Sequence, residues 1–160
     1  MIKKNFITGG DSDDCFFEFV FCFAPETRTL FFDFVFFAGI KIHIEADKYR
    51  IPDIVFLSAQ NRHLLGNKYW KGADIAMEVV SEDDPNRDLV TKRAEYAQAG
   101  IPEYWIVDPQ QSAITVLKLD GTTYAEHGCF KPGERAASVL LPGFEVDVAS
   151  AFEAGRKALG

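Results

Sequence analysis

The chain has 160 residues, a formal net charge of −7 and a hydrophobic fraction of 48%. This length suits one domain with a substantial core, and the composition excludes a wholly disordered chain. The acidic balance argues against a protein that coats nucleic acid without specificity, although a local basic groove stays open. The 3 cysteines are an odd and sparse set that does not suit a disulfide framework, which predicts a reducing, cytoplasmic location.

Phenylalanine is concentrated near the start of the chain, where 12 of the 15 phenylalanines fall at or before Phe56. The longest charge-free apolar stretch is shorter than the roughly 18 to 20 residues that a spanning helix needs, so we expect no membrane segment. The order of charged and apolar residues does not fit a signal peptide either. We predict a single domain over residues 1–160, in which residues 1–45 are an atypical and degenerate segment. A shifted reading frame through thymine-rich codons would produce such runs of phenylalanine.

The first elements along the chain are predicted to be strands. Leu30–Ala46 suggests a β-hairpin that turns at Ala38-Gly39. The β-branched and aromatic run Ile51–Ser58 predicts a strand, and Ala73–Ser81 predicts another. The polar segment Asn61–Gly72 is expected to connect these two strands.

The best-defined helix of the sequence follows the second of these strands. Pro85 suits its first turn, and Gly100 with Pro102 ends it. Its apolar residues recur at helical spacing: Val90, Ala94, Ala97 and Ile101. The later elements are a strand Tyr104–Asp108, a hairpin of Ala113–Leu119 and Thr122–Glu126, a strand Phe144–Val148 and a helix Ala149–Leu159. This order predicts the α/β fold class, of a mixed α+β kind.

Two carboxylates occupy positions that structure alone would not favour. Asp53 follows Pro52 inside the first strand run, and Glu78 lies within the apolar run Ile75–Val80. If the two strands are neighbours, both carboxylates converge at one edge of the sheet. Two hard oxygen ligands with open water positions suit Mg²⁺, which lowers the pKa of a bound water and stabilises charge on a phosphodiester.

Lys92 is the third candidate residue. On the predicted helix it shares a stripe with Leu89 and Tyr96. An ammonium group beside a metal site would orient the attacking water or stabilise the charge that develops on the phosphate oxygens. The three candidates together predict phosphodiester chemistry.

Each candidate also has a structural interpretation that the sequence leaves open. Asp53 fits a turn residue after a proline. Glu78 fits a buried carboxylate that pairs with an unseen arginine or lysine. Lys92 fits a surface ion pair with Asp88, four residues earlier. Zinc or thiol chemistry is less favoured, because the cysteines and histidines show no ligand spacing.

Several segments carry a resemblance to a known family when they are taken in order. They are Tyr49–Val55, Ala76–Ser81, the trio Asp88, Lys92 and Tyr96, and Gly100–Pro109. Together these segments resemble the Uma-two family, bacterial proteins with a restriction-endonuclease-like fold of the PD-(D/E)xK superfamily. The resemblance runs from about Tyr49 to the C-terminus, and Gly100–Pro109 is its most specific part.

The resemblance implies a central mixed β-sheet flanked by helices, with additional C-terminal β-hairpins. It implies an endonuclease that hydrolyses DNA with Mg²⁺ or Mn²⁺. Asp53, Glu78 and the backbone carbonyl of Val79 would then bind the metal. Lys92 would replace the lysine of the motif, because Val80 stands at that lysine's usual position. The matching residues Tyr104, Trp105 and Asp108 are interpreted as structural.

The chain departs from the family before the Pro-Asp motif, where relatives carry a further acidic residue. Glu18, Glu26 and Glu45 are available, but none has the expected context. The departure leaves a second function open, that of a catalytically inactive nuclease-like domain serving as a binding or assembly module. The Phe-rich segment favours this alternative, because exposed aromatic patches usually mark an interface. A homodimer is possible in either case, since cleavage of both strands of a duplex favours two copies.

Overall fold

The computed structural model describes residues 34–37, 39–81, 83 and 87–159. The predicted atypical segment, residues 1–45, therefore lies mostly outside the described residues. Within the described part, no helix is long and apolar enough to cross a membrane.

The described chain contains ten strands and two α-helices. The strands are β1 Phe34–Phe37, β2 Ile42–Glu45, β3 Lys48–Arg50, β4 Ile54–Leu57, β5 Ile75–Val79, β6 Glu103–Asp108, β7 Ala113–Asp120, β8 Thr123–Phe130, β9 Arg135–Ala137 and β10 Glu145–Asp147. The helices are α1 Arg93–Gln98 and α2 Val148–Leu159. Two shorter helical segments are a 3₁₀ helix, Ala59–Leu64, and a π-helical segment, Arg87–Lys92, that runs directly into α1.

A six-stranded sheet in the order β1-β4-β5-β6-β7-β8 forms the centre of the fold. All neighbouring strands are antiparallel except β5 and β6, which are parallel. Parallel neighbours need a crossover connection, and the segment from Arg87 through α1 provides it. Gly100 ends this crossover with a φ of 74°, a left-handed conformation that glycine adopts without steric cost. The predicted mixed α+β architecture is confirmed.

The sheet separates two hydrophobic cores, because successive side chains of a strand point to opposite faces. The core on the α1 side includes Ala76, Tyr96 and Tyr104. The core on the other side includes Ile75, Trp105 and, from α2, Phe152. Strand alternation places Glu78 with Ala76 on the α1 side, which brings this carboxylate under the crossover helix.

The hairpin predicted within Leu30–Ala46 is wrong in its pairing. β1 pairs with β4 at the edge of the central sheet, with Phe37 opposite Ile54. β2 pairs instead with β3, in a hairpin that turns at Ala46-Asp47. The physical reason is burial on two different surfaces, since Val35 belongs to the core on the α2 side whereas Ile42 and Ile44 belong to the core on the α1 side.

Candidate active site

Asp53 and Glu78 meet at one end of the β4–β5 pair, as the sequence predicts for neighbouring strands. Ile54 lies opposite Met77, so the next residues outward, Asp53 and Glu78, face each other across the pair. The backbone N–H of Val79 donates to Oδ2 of Asp53 at 2.8 Å. This bond fixes the exposed carboxylate of Asp53 beside the segment that carries Glu78.

The carboxylate of Glu78 is fully buried between two side chains of the crossover helix. The hydroxyl of Tyr96 donates to Oε1 of Glu78 at 2.6 Å. Nζ of Lys92 lies 2.9 Å from Oε2. Lys92 and Tyr96 are four residues apart, so both side chains leave the helix on the face that covers β5. The structure therefore brings Asp53, Glu78 and Lys92 together.

Lys92 is buried against Glu78. Lys92 is therefore not the surface residue that the alternative interpretation expected, and the side chain of Asp88, its proposed partner there, lies outside the described part of the structure. The structural interpretation of Glu78, a buried carboxylate paired with a lysine, is met by the same contact. Pairing with Lys92 and a role in metal binding are compatible chemically, because a carboxylate offers two oxygens and several lone pairs.

Burial raises the pKa of Glu78 above the usual value of 4.5, and the negative charge of Asp53 raises it further. The hydrogen bond from Tyr96 and the positive charge of Lys92 oppose this rise without cancelling it. The pKa of Tyr96 is also raised, by burial and by the neighbouring Glu78, so its hydroxyl stays protonated and acts as a donor. Glu78 consequently takes up a proton more readily than an exposed glutamate would.

A second ion cluster, which the sequence pattern does not indicate, joins the strand before Asp53 to helix α1. Glu95 is buried and accepts from Nε and Nη2 of Arg50 at 2.5 and 2.8 Å. Nζ of Lys48 lies 2.8 Å from Oε1 of the same carboxylate. Glu95 is next to Tyr96 on α1, and Arg50 lies three residues before Asp53. This cluster therefore fixes the position of α1 relative to the strand that leads to Asp53. Arg50 and Glu95 are 45 positions apart, so their pairing gives no local signal in the sequence.

Replacement of Glu95 by glutamine is expected to lower the free energy of unfolding by about 1–3 kcal/mol at neutral pH, because charge-assisted hydrogen bonds are lost. Burial acts to raise the pKa of Glu95, but the bonds from Arg50 and Lys48 prevail and lower it below 4.5. A carboxylate with a lowered folded pKa stabilises the protein above its unfolded pKa, and the stabilisation is lost as the pH falls through the folded pKa. The difference from wild type should therefore shrink in acid.

Urea unfolding at a series of pH values measures this difference. Glu126→Gln provides a control at an exposed position of β8. A loss of stability that is the same at neutral and strongly acid pH would show that the ion cluster is not its cause.

The residues at the site suit a hard divalent cation. Asp53, Glu78 and the carbonyl of Val79 offer oxygen donors, and these are what Mg²⁺ and Mn²⁺ prefer. The side chains of Asp53, Glu78 and Lys92 carry a combined formal charge of −1 when Glu78 is ionised, which favours a cation. In the part of the chain that the structure describes, no cluster of three or more histidine, cysteine, aspartate or glutamate side chains is placed to hold a metal.

The resemblance implies an additional acidic residue, and none of the described candidates supplies it at the site. Glu45 lies on β2, where it pairs with Lys48 at 3.4 Å and accepts from Nε2 of Gln98 at 2.9 Å. Glu18 and Glu26 lie outside the described residues. Asp108, interpreted as structural, accepts from the backbone N–H groups of the turn that follows it, at 2.9 and 3.0 Å.

Comparison with known proteins gives a family and a fold. The profile of the Uma2 family, described as putative restriction endonucleases, matches residues 9–149. The family profile therefore matches from residue 9, whereas the motifs of the resemblance begin only at about Tyr49. No curated protein matches the chain. A crystal structure of a putative nuclease belonging to DUF820 from Anabaena variabilis is similar, with 15% sequence identity and a TM-score of 0.59 over 76% of this chain and 68% of that one. The predicted restriction-endonuclease-like fold is confirmed.

Proposed function

The chain belongs to the Uma2 family of putative restriction endonucleases, and from this membership and the geometry of its site we propose that it is a Mg²⁺- or Mn²⁺-dependent endonuclease that hydrolyses phosphodiester bonds of DNA. The observation that carries the proposal is the meeting of Asp53, Glu78 and Lys92 at one end of the β4–β5 pair. Burying Glu78 and Lys92 together beside Asp53, at the end of two inner strands, is costly in free energy, and such costly arrangements of charge are concentrated at functional sites.

Each residue has a distinct part in the proposed reaction. Asp53, Glu78 and the carbonyl of Val79 would hold the metal ion, which when bound supplies a water of lowered pKa and stabilises charge on the phosphate. Lys92 would hold its ammonium beside the reacting phosphate and stabilise the negative charge that develops there. Tyr96 keeps Oε1 of Glu78 occupied and so fixes the orientation of this carboxylate.

Incubation of supercoiled plasmid DNA with the purified protein tests the proposal. Nicked or linear DNA is expected with Mg²⁺ or Mn²⁺, and none is expected when the metal is removed with a chelator. A plasmid that stays supercoiled with either metal, at protein concentrations equal to that of the DNA, would contradict nuclease activity. Sedimentation of the protein with and without a duplex would show whether two copies assemble on the DNA.

One observation favours the second candidate function, a catalytically inactive domain used for binding or assembly. Both oxygens of Glu78 already have partners, Tyr96 and Lys92. A metal ion must therefore share an oxygen with one of them or displace Lys92. Calorimetric titration with Mn²⁺ separates the two functions, because an inactive domain of this kind would give no binding heat at millimolar metal.

The same titration has an expected pH dependence. Protonated Glu78 is a poor metal ligand, and burial raises the pKa of this residue above its usual value. Metal affinity should fall as the pH is lowered toward that raised pKa, before an ordinary glutamate would begin to protonate. An affinity that stays constant as the pH falls from neutral to the usual glutamate pKa of 4.5 would exclude Glu78 as a ligand.

A further inference from the structure

Three aromatic side chains form a surface cluster on the hairpin of β2 and β3. The ring centroids of His43 and Tyr49 lie 5.4 Å apart, and both rings contact Tyr69, at 5.7 and 5.0 Å. His43 and Tyr49 are half-buried, whereas 36% of Tyr69 is exposed. None of the three residues belongs to either hydrophobic core of the described residues. This aromatic cluster (His43, Tyr49 and Tyr69) is therefore a feature of the surface.

Backbone hydrogen bonds hold the aromatic cluster in place. The N–H of Trp70 donates to the carbonyl of Lys41 at 2.8 Å, and the N–H of His43 donates to the carbonyl of Trp70 at 2.9 Å. These bonds attach the segment of Tyr69 to the edge of β2. The chain also comes close to itself here, since a Cβ added at Gly66 would overlap the carbonyl oxygen of Tyr69. Rings positioned in this way lose little conformational entropy when they bind a partner.

Positive charge adjoins the aromatic cluster in a chain that is acidic overall. From Ile54 to Ala73 the sequence contains three cations, Arg62, Lys68 and Lys71, and no aspartate or glutamate. All three cations are exposed, and Lys68 and Lys71 flank Tyr69 in the sequence. Within a chain of net charge −7, this stretch is a local excess of positive charge around Tyr69, whereas the acidic Asp47 acts on Tyr49 at the other side of the cluster.

We propose that the aromatic cluster and its adjoining lysines bind unpaired nucleotides, with the ring of Tyr69 stacking on a base and Lys68 and Lys71 contacting phosphates. Exposed aromatic rings among cations are the usual means of binding single-stranded nucleic acid, because every base presents a π-face for stacking. Protein segments would use the rings but would not need the cations, so charge favours nucleic acid as the partner.

The cluster is close enough to the candidate active site to serve it. Tyr49 and Asp53 are four residues apart, which limits the separation of their Cα atoms to about 14 Å. This limit corresponds to at most about four nucleotides at the 3.4 Å rise of one stacked strand. If the chain cleaves DNA, as proposed above, this proximity implies a preference for DNA with an unpaired stretch near the bond that is cleaved. This statement about the substrate rests on the proposed function.

Binding of a fluorescently labelled oligothymidylate of about 15 nucleotides, in metal-free buffer, tests the proposal. Tyr69→Leu is expected to weaken single-strand binding about tenfold, since it removes one stacking ring. Tyr69→Phe keeps the ring and should bind as the wild type does. Lys68→Ala should weaken binding of the single strand and of a matched duplex, whereas Lys131→Ala, at an exposed position on the loop after β8, should change neither.

Three outcomes would overturn the proposal. They are a Tyr69→Leu variant that binds the oligonucleotide as tightly as the wild type, one that loses single-strand and duplex affinity equally, and one that changes only the oligomeric state of the chain. The last outcome would assign the cluster to a contact between copies. Because no metal is present, these results do not depend on cleavage. A chain that binds the oligonucleotide through Tyr69 but leaves plasmid intact would contradict the proposed function alone.

Discussion

Replacing Asp53 with asparagine, or Glu78 with glutamine, is expected to reduce metal-dependent DNA cleavage by at least about a thousandfold. Each substitution preserves shape and removes one negative charge from the place where β4 and β5 end. A bound divalent metal contributes several kcal/mol of stabilisation to the transition state, and loss of one carboxylate ligand removes most of that contribution. Nicking of supercoiled plasmid over a range of protein concentrations measures the loss.

A matched control separates loss of a ligand from loss of charge. Asp120→Asn removes the same charge at an exposed position of the β7–β8 hairpin, away from the β4–β5 pair. Its cleavage rate should equal that of the wild type. Thermal unfolding of all three variants shows whether they remain folded. Folded Asp53→Asn and Glu78→Gln proteins that still cut at the wild-type rate would place the reaction elsewhere on the chain.

Replacing Lys92 with methionine is expected to lower the free energy of unfolding at neutral pH by about 3 kcal/mol. The substitution leaves the ionised carboxylate of Glu78 buried without its cation. Part of this cost is relieved when Glu78 takes up a proton, and burial already raises its pKa. An acid whose folded pKa is raised stabilises the protein fully below its unfolded pKa and loses that stabilisation as the pH rises through the folded pKa. The variant should therefore approach wild-type stability in acid.

The double variant Glu78→Gln, Lys92→Met provides the test of this explanation. It removes both charges and should recover most of the stability that Lys92→Met loses. Lys118→Met, at an exposed position of β7, should lie within about 0.5 kcal/mol of the wild type. Urea unfolding of the wild type, Glu78→Gln, Lys92→Met and the double variant yields the coupling energy. A Lys92→Met variant as stable as the Lys118→Met variant would show that the ion pair contributes nothing to stability.

The Lys92 prediction also bears on the two candidate functions. In an active nuclease, Lys92→Met should abolish cleavage at a pH at which the variant is still folded. In an inactive domain, the lysine serves only to neutralise Glu78, and the double variant should behave like the wild type in every binding assay. The pair of measurements distinguishes a catalytic ammonium from a structural one.

Most of the fold was predictable from local patterns in the sequence. The strand around Glu78, the helix ended by Gly100 and the β7–β8 hairpin all have clear periodicity or turn residues, and the structure contains each of them. The three candidate residues were predictable for a related reason. The carboxylate of Glu78 in an apolar strand violates a local preference that is visible without a structure, and the order and spacing of Asp53, Glu78 and Lys92 match the family resemblance.

Pairings between distant residues were not predictable in the same way. The position of β1 beside β4 depends on which core buries Val35, and the sequence near Leu30–Ala46 favoured a local hairpin instead. The hydrogen bonds between Arg50 and Glu95 join residues 45 positions apart, a separation that no helix or strand repeat predicts. The aromatic cluster likewise forms only because the segment of Tyr69 returns to the edge of β2.

By itself, therefore, the sequence determined the elements, the family resemblance and the identity of three candidate residues. Only the tertiary structure decided that Lys92 contacts Glu78 in the interior, because an exposed lysine was also compatible with the helix. The reason is physical. Side-chain periodicity defines which residues share a face, but the burial of that face, and hence the partner of a charge, depends on how the crossover packs on the sheet.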